Sequence, residues 1–229
     1  MSNSQVLNDS HIKAPTWDDI EWQPLFHPGE AALLVIDPQN DILKPEGNMA
    51  FRNVWQHAET TVPAIASLVR AARESKIPVF WFRYGRASNG KDVFDGTMVG
   101  ARVRAMRSLV PGMYDEGTWD ADIIDELKEL MTEDDFVIDK AAAGCFEGTN
   151  LDKYLRNMGV KNLILTGYLT DFCVANTSRQ AYDKDYGVLI VEDACASYSV
   201  SNHNATLDIH RANFGPVVTT ETTLALMRK

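Results

Sequence analysis

The sequence predicts an α/β protein: a three-layer αβα sandwich around a mostly parallel, doubly wound sheet of six strands. Two observations lead there. Short, continuous apolar runs alternate with longer stretches whose apolar residues recur at helical spacing, the order expected of a parallel sheet with helices on both faces. No internal repeat or interdomain linker interrupts them, and 229 residues at 45% hydrophobic content suffice for one domain with a well-buried core.

Residues 1–30 are polar, with Trp17, Trp22 and Phe26 scattered among them. Such a stretch forms no core of its own, so it reads as an N-terminal arm over the domain, residues 31–229, or over a neighbouring subunit. The run Ala31-Ala32-Leu33-Leu34-Val35-Ile36 is a buried strand that stops at Asp37-Pro38-Gln39-Asn40-Asp41. A helix near 55–75 follows, with Ile65, Leu68, Val69 and Ala72 at helical spacing. Ile77 to Phe82 is the second strand. The stretch 84–117, rich in Gly, Arg and Met, is long for a loop in a compact domain and is expected to form a pocket wall or a subunit contact. A helix at 120–131, a strand at 135–138, a helix at 149–158 and a strand at 162–166 come next. A helix from Cys173 to Asp183, a strand at 187–191, a helix near 201–213, a short strand at Val217-Val218 and a terminal helix close the chain.

Composition excludes several partners. A formal charge of −10 and a pI near 4.9 argue against nucleic acid and anionic membrane surfaces. Three cysteines (Cys145, Cys173 and Cys195) are too few for a disulfide framework and point to a reducing compartment. No signal-like start and no run of membrane-spanning length is seen, so the expected location is the cytoplasm.

Three strand ends carry the chemistry. Cys173 lies in Gly167-Tyr168-Leu169-Thr170-Asp171-Phe172-Cys173-Val174, between an apolar run and a helical stretch. A thiol at such a corner meets the positive end of a helix, which is expected to lower its pKa. Asp37 ends the first strand and Lys140 follows the third. In a parallel sheet, ligands bind beyond the carboxyl ends of the strands. An acid, a cation and a thiol converging there make a nucleophile, a proton acceptor and a charge that holds the thiolate. Any one of these residues alone reads as a surface group, a turn former or a buried small hydrophobe.

Together the three segments resemble the isochorismatase-like cysteine hydrolases, over roughly Ala31 to Phe214. Lys140 and Cys173 lie 33 residues apart, which looks typical of the amidase branch of that family. The resemblance implies an Asp37-Lys140-Cys173 triad and hydrolysis of small amides, ureides or N-carbamoyl compounds. It also implies an oxyanion hole from the backbone N–H groups of Leu169 and Cys173, and a cis peptide at Tyr168–Leu169. Leu169 departs from the small residue usual there, which bears on pocket shape. Trp119 and Phe146 resemble aromatic pocket positions of ureide-cleaving relatives, with core packing as the alternative. Relatives that bind a metal carry His after the second strand; Trp81-Phe82-Arg83-Tyr84-Gly85-Arg86 has none, so neither a metal nor another cofactor is expected.

Substrate contacts are expected from the 39–54 and 84–117 loops, Gln39 among them. Arg83, at the end of the second strand, is a candidate fork for a carbonyl or carboxylate, or else half of an internal ion pair. Arg86, Arg102, Arg104 and Arg107 read as an anion-binding patch or as an ion-paired basic face. Cys145 and Cys195 have no recognisable partners. Three functions stand: cleavage of a C–N bond in a small linear amide or ureide; isochorismatase-type cleavage of a vinyl ether, a branch that can dispense with the cysteine; and a silent binding module, which would be expected to lose triad members. The aromatic arm and the 84–117 stretch suggest a homodimer or homotetramer.

Overall fold

A computed structural model describes residues 15–229. The apolar runs become β1 (Ala31–Ile36), β2 (Val79–Tyr84), β3 (Phe136–Lys140), β4 (Asn162–Tyr168), β5 (Gly187–Ala196) and β6 (Val217–Val218). They form one sheet in the order β3-β2-β1-β4-β5-β6, every neighbouring pair parallel. The helices are α1 (Asn40–Leu43), α2 (Ala58–Glu74), α3 (Met98–Leu109), α4 (Asp125–Lys128), α5 (Leu151–Asn157), α6 (Ala175–Tyr182), α7 (Val200–Asn213) and α8 (Thr220–Met227).

β1 shows why the sheet needs two covers. Its six residues are all buried, and alternate side chains enter opposite cores. Leu33 and Val35 pack with Ile65 and Leu68 of α2 and Leu226 of α8. Leu34 and Ile36 pack with Leu155 of α5, Ala181 of α6 and Leu207 of α7. The chain first builds β2 and β3 on one side of β1, then crosses to place β4 on the other. That reversal opens a crevice between β1 and β4 at their carboxyl ends, where such sheets bind ligands. Gly167 lets the two strands close up: its φ is +110°, and a Cβ there would stand 2.1 Å from the Ile36 carbonyl oxygen.

Several boundaries differ from expectation. The stretch 84–117 contains α3, capped by the Thr97 hydroxyl, which accepts from Gly100 N at 2.9 Å. Its apolar residues are spaced among arginines, which hid the helix. The helix expected at 120–131 shrinks to α4, because the backbone before it is drawn to the β1–α1 corner. There Asn40 N donates to Asp122 O and Asp41 N to Asp120 O. Trp22 and Phe26 are buried in the chain's own core, and Trp17 packs against it. Their burial therefore requires no neighbouring subunit. Residues 1–14 of the expected arm lie outside the described residues.

Candidate active site

Asp37, Lys140 and Cys173 meet at the carboxyl edge of the sheet, all three buried. Asp37 leaves β1 with a φ of 50°, a left-handed conformation uncommon for a side chain other than glycine. Its N–H donates to Phe82 O at 3.1 Å and its carbonyl accepts from Gln39 N at 2.9 Å. The corner thus turns the carboxylate under the crevice, and such departures cluster at functional sites.

Lys140 is the last residue of β3. Its ammonium donates to Asp37 Oδ2 at 2.7 Å and to the carbonyls of Ala142 and Ala143 at 3.2 Å each. All three of its donors are then used. Burial opposes the charge, but the carboxylate of Asp37 outweighs it and holds the ammonium well above its ordinary pKa. Lys140 is a fixed positive charge.

Asp37 Oδ1 is buried and has no well-formed hydrogen bond, yet the Cys173 thiol lies close enough to interact with this carboxylate. Burial raises the Asp37 pKa, and Lys140 pulls it partly back. Cys173 sits in a wide π-type turn, Thr170–Val174, ahead of α6, with Phe172 N and Val174 N both donating to Leu169 O. The peptide Tyr168–Leu169 before it is cis.

The expected low thiol pKa is overturned. Burial, reinforced by the negative charge of Asp37, pushes Cys173 well above its ordinary value, and Lys140 opposes this only in part. The resting group is a thiol beside a buried carboxylate. That pairing can pass a proton at the moment the sulfur attacks.

Above the thiol lies a cavity of about 220 Å³. Asp37 and Cys173 line it, with Tyr84, Arg86, Tyr114 and Leu169 around them, and Arg102, Val103 and Met106 of α3 form part of its wall. Arg52 and Tyr198 also reach it. Asp41 ties that wall together: its carboxylate accepts from Met49 N at 2.8 Å and Tyr114 N at 2.9 Å.

The other expected contacts fare differently. Gln39 borders the cavity, but its amide is spent on protein: Nε2 donates to Tyr84 O and Ala121 O, and Oε1 accepts from Tyr84 N. It clasps β1 to β2 rather than presenting itself to a ligand. Arg83 does not line the cavity; its guanidinium forks onto Asp139 at 2.7 and 3.0 Å, so the internal ion pair is what forms. Trp119 is half exposed and away from the cavity, its carbonyl accepting from Asn40. Phe146 is buried in the core beside Tyr186. Of the basic cluster, Arg86, Arg104 and Arg107 pair with Asp92, Asp95 and Asp115.

Sequence reasoning missed Arg52, Tyr84, Tyr114 and Tyr198. Arg52, Tyr84 and Tyr114 fall in the 39–54 and 84–117 stretches expected to supply contacts but were not singled out, although Tyr84 shares strand parity with Phe80 and Phe82, on the face to which Lys140 belongs; Tyr198 had no signal.

Solved structures of known proteins share this architecture. A cysteine hydrolase from Pseudomonas syringae pv. phaseolicola superposes with a TM-score of 0.80 at 24% identity, covering 95% of this chain and 99% of its own. An isochorismatase family protein from Desulfovibrio vulgaris gives 0.74 at 25% identity over 87% and 99%. A nicotinamidase from Bacillus subtilis gives 0.67 at 24% identity over 82% and 99%. Residues 31–222 match the family model described as the isochorismatase domain, which spans the whole sheet and all three residues of the buried cluster; the chain belongs to the isochorismatase family.

Proposed function

We propose that this protein is a cysteine amidohydrolase that cleaves a C–N bond in a small linear amide, ureide or N-carbamoyl compound. The observation that carries the reading is the buried carboxylate of Asp37 within interacting distance of the Cys173 thiol, with Lys140 bound to its Oδ2 at 2.7 Å. The names of the cysteine hydrolase and nicotinamidase neighbours support the same class of chemistry.

In this mechanism Asp37 accepts the thiol proton as the sulfur attacks the carbonyl carbon. The carbonyl electron pair moves to oxygen, where the N–H groups of Cys173 and Leu169 receive it. Collapse of the tetrahedral adduct breaks the C–N bond, and the leaving amine takes the proton from Asp37. Water then gives a proton to the same carboxylate and attacks the thioester, and the departing sulfur recovers that proton. Lys140 keeps Asp37 ionised in its buried site. The route calls on no metal, so exhaustive treatment with EDTA should leave activity unchanged, and loss of activity restored by one metal ion would refute that part.

Ammonia release across a panel of amides, ureides and N-carbamoyl compounds tests the reading, with Cys173→Ala as the blank. Cleavage of at least one C–N bond, lost in the variant, is expected. Hydrolysis confined to isochorismate would sink it in favour of vinyl ether cleavage, and binding without turnover would favour a silent module.

A further inference from the structure

We infer that the substrate of this site carries a carboxylate as well as its scissile amide, and that Arg52, with Arg102 beside it, receives that carboxylate. The inference rests on the amidohydrolase reading for the scissile bond, and on the cavity alone for the anion.

The charges around the cavity do not balance. At its floor, Asp37 and Lys140 neutralise one another at 2.7 Å. On its wall, Arg86 is held by Asp92 at 3.2 Å and by the Tyr84 hydroxyl at 2.9 Å. Arg52 and Arg102 line the same cavity, and among the described residues neither forms an ion pair. Arg52 is half-buried and Arg102 exposed, so the charge left without a partner at this cavity, in a chain of formal charge −10, is chiefly that of Arg52. A ligand of opposite sign balances it.

Arg52 is the better prepared of the two. Its Cζ stands 4.6 Å from the Tyr198 ring centre and 5.5 Å from that of Phe51, so aromatic rings orient the guanidinium. Its Nε is buried without a hydrogen-bond partner. A buried donor left unmade is costly, and a planar fork held in place suits a carboxylate, which takes two parallel hydrogen bonds from it. Much of the remaining wall is apolar, including Ile42, Met49, Val103 and Met106. This suits a short carbon chain between the carboxylate and the carbonyl presented to Cys173. The carboxylate role expected of Arg83 therefore passes to Arg52.

The test is calorimetric binding to the unmodified protein and to Arg52→Gln, Arg52→Lys and Arg102→Ala, so that it does not depend on turnover. The probes are short mono- and dicarboxylates, neutral alcohols of matched length, and inorganic phosphate. Carboxylates should bind saturably and the alcohols far more weakly. Arg52→Gln should weaken carboxylate binding roughly ten- to a hundredfold, the difference a charged hydrogen-bonding partner makes. Arg52→Lys should lose less, and Arg102→Ala less than Arg52→Gln. Circular dichroism of each variant checks that it is folded. Equal affinity for carboxylates and alcohols, binding of phosphate alone, no saturable carboxylate binding, or an unchanged affinity in Arg52→Gln would each overturn the inference. The amide panel fails or succeeds separately: carboxylate binding lost with Arg52 but no C–N cleavage would retire the amidohydrolase reading and leave the anion site standing.

Discussion

Tyr84 and Lys140 face each other in the last rung of the β2–β3 ladder, and the ammonium stands 5.1 Å from the centre of the Tyr84 ring. One rung earlier, Arg83 and Asp139 are partners on the opposite side of the sheet. A single step along two strands therefore separates a buried cation bound to Asp37 from an ion pair on the opposite side of the sheet. The ring adds a favourable face to a charge already held by Asp37 and two carbonyls.

Removing that charge should unsettle the fold. With the Lys140 side chain fully buried and that of Asp37 nearly so, Lys140→Met leaves a buried carboxylate unpaired and should cost about 3 kcal/mol or more. The double variant Asp37→Asn with Lys140→Met should recover most of this loss while staying inactive. Urea midpoints at unchanged slope measure both; a double variant as unstable as the single one would contradict the account.

Thiol chemistry should be selective in place but slow in rate. Cys145 and Cys195 are fully buried, and burial lifts Cys145 to about 12 and Cys195 higher still. Cys173 borders the cavity but rests as a thiol. Iodoacetamide should therefore modify Cys173 first, at a rate no faster than an ordinary cysteine at neutral pH, and modification should abolish turnover. Peptide mapping that finds Cys145 or Cys195 labelled ahead of it would refute the assignment of the nucleophile.

Acid stability should bear the mark of His210. Burial lowers its pKa from 6.5 to about 4, and the neutral ring sits between Ser178 Oγ at 2.8 Å and Val188 O at 3.3 Å. The unfolded chain takes up a proton between pH 6.5 and 4 that the folded chain refuses. The stability tied to His210 is then full above pH 6.5 and is lost as pH falls to 4, on the order of 3 kcal/mol. Asp41 acts in the opposite sense: burial raises it from 3.8 to about 6, so its contribution is full below 3.8 and fades as pH rises through 6. The wild-type curve alone will blur the two. The difference between wild type and His210→Gln isolates the first, and should shrink steadily from pH 6.5 to 4; parallel curves would refute it.

Association is expected through the α3 region. Phe94, Met98, Val99 and Leu109 are large apolar side chains left exposed there. Light scattering should show a dimer or tetramer, and Met98→Glu with Leu109→Glu should shift it toward monomer. A wild-type monomer at working concentration would refute the expectation.

The sheet was legible because strands buried on both faces must be apolar throughout, as β1 and β4 are. That Asp37, Lys140 and Cys173 would meet was legible because each ends a strand or lies in the turn after one. The walls were not. Arg83 was misplaced by one residue of parity, since the strand runs on through Tyr84. The Cys173 pKa was misjudged because position at a corner suggests a dipole but says nothing of depth, and burial dominated. Arg52 lies in a stretch of short 3-10 turns, Ala50–Arg52 and Val54–His57, with no periodicity to read. Its importance appears only once Tyr198, far along the chain, is seen to stack on it.

The cavity draws its floor and much of its wall from separate stretches of chain. Asp37, Lys140 and Cys173 are set by the sheet, whereas Arg102, Val103 and Met106 ride on a helix inserted between β2 and β3. The insertion joins neighbouring parallel strands, whose register is set by their own ladder. Changes in that stretch can therefore reshape one wall of the cavity, while Asp37, Lys140 and Cys173 stay where the sheet puts them and Arg52 and Tyr198 hold the other side.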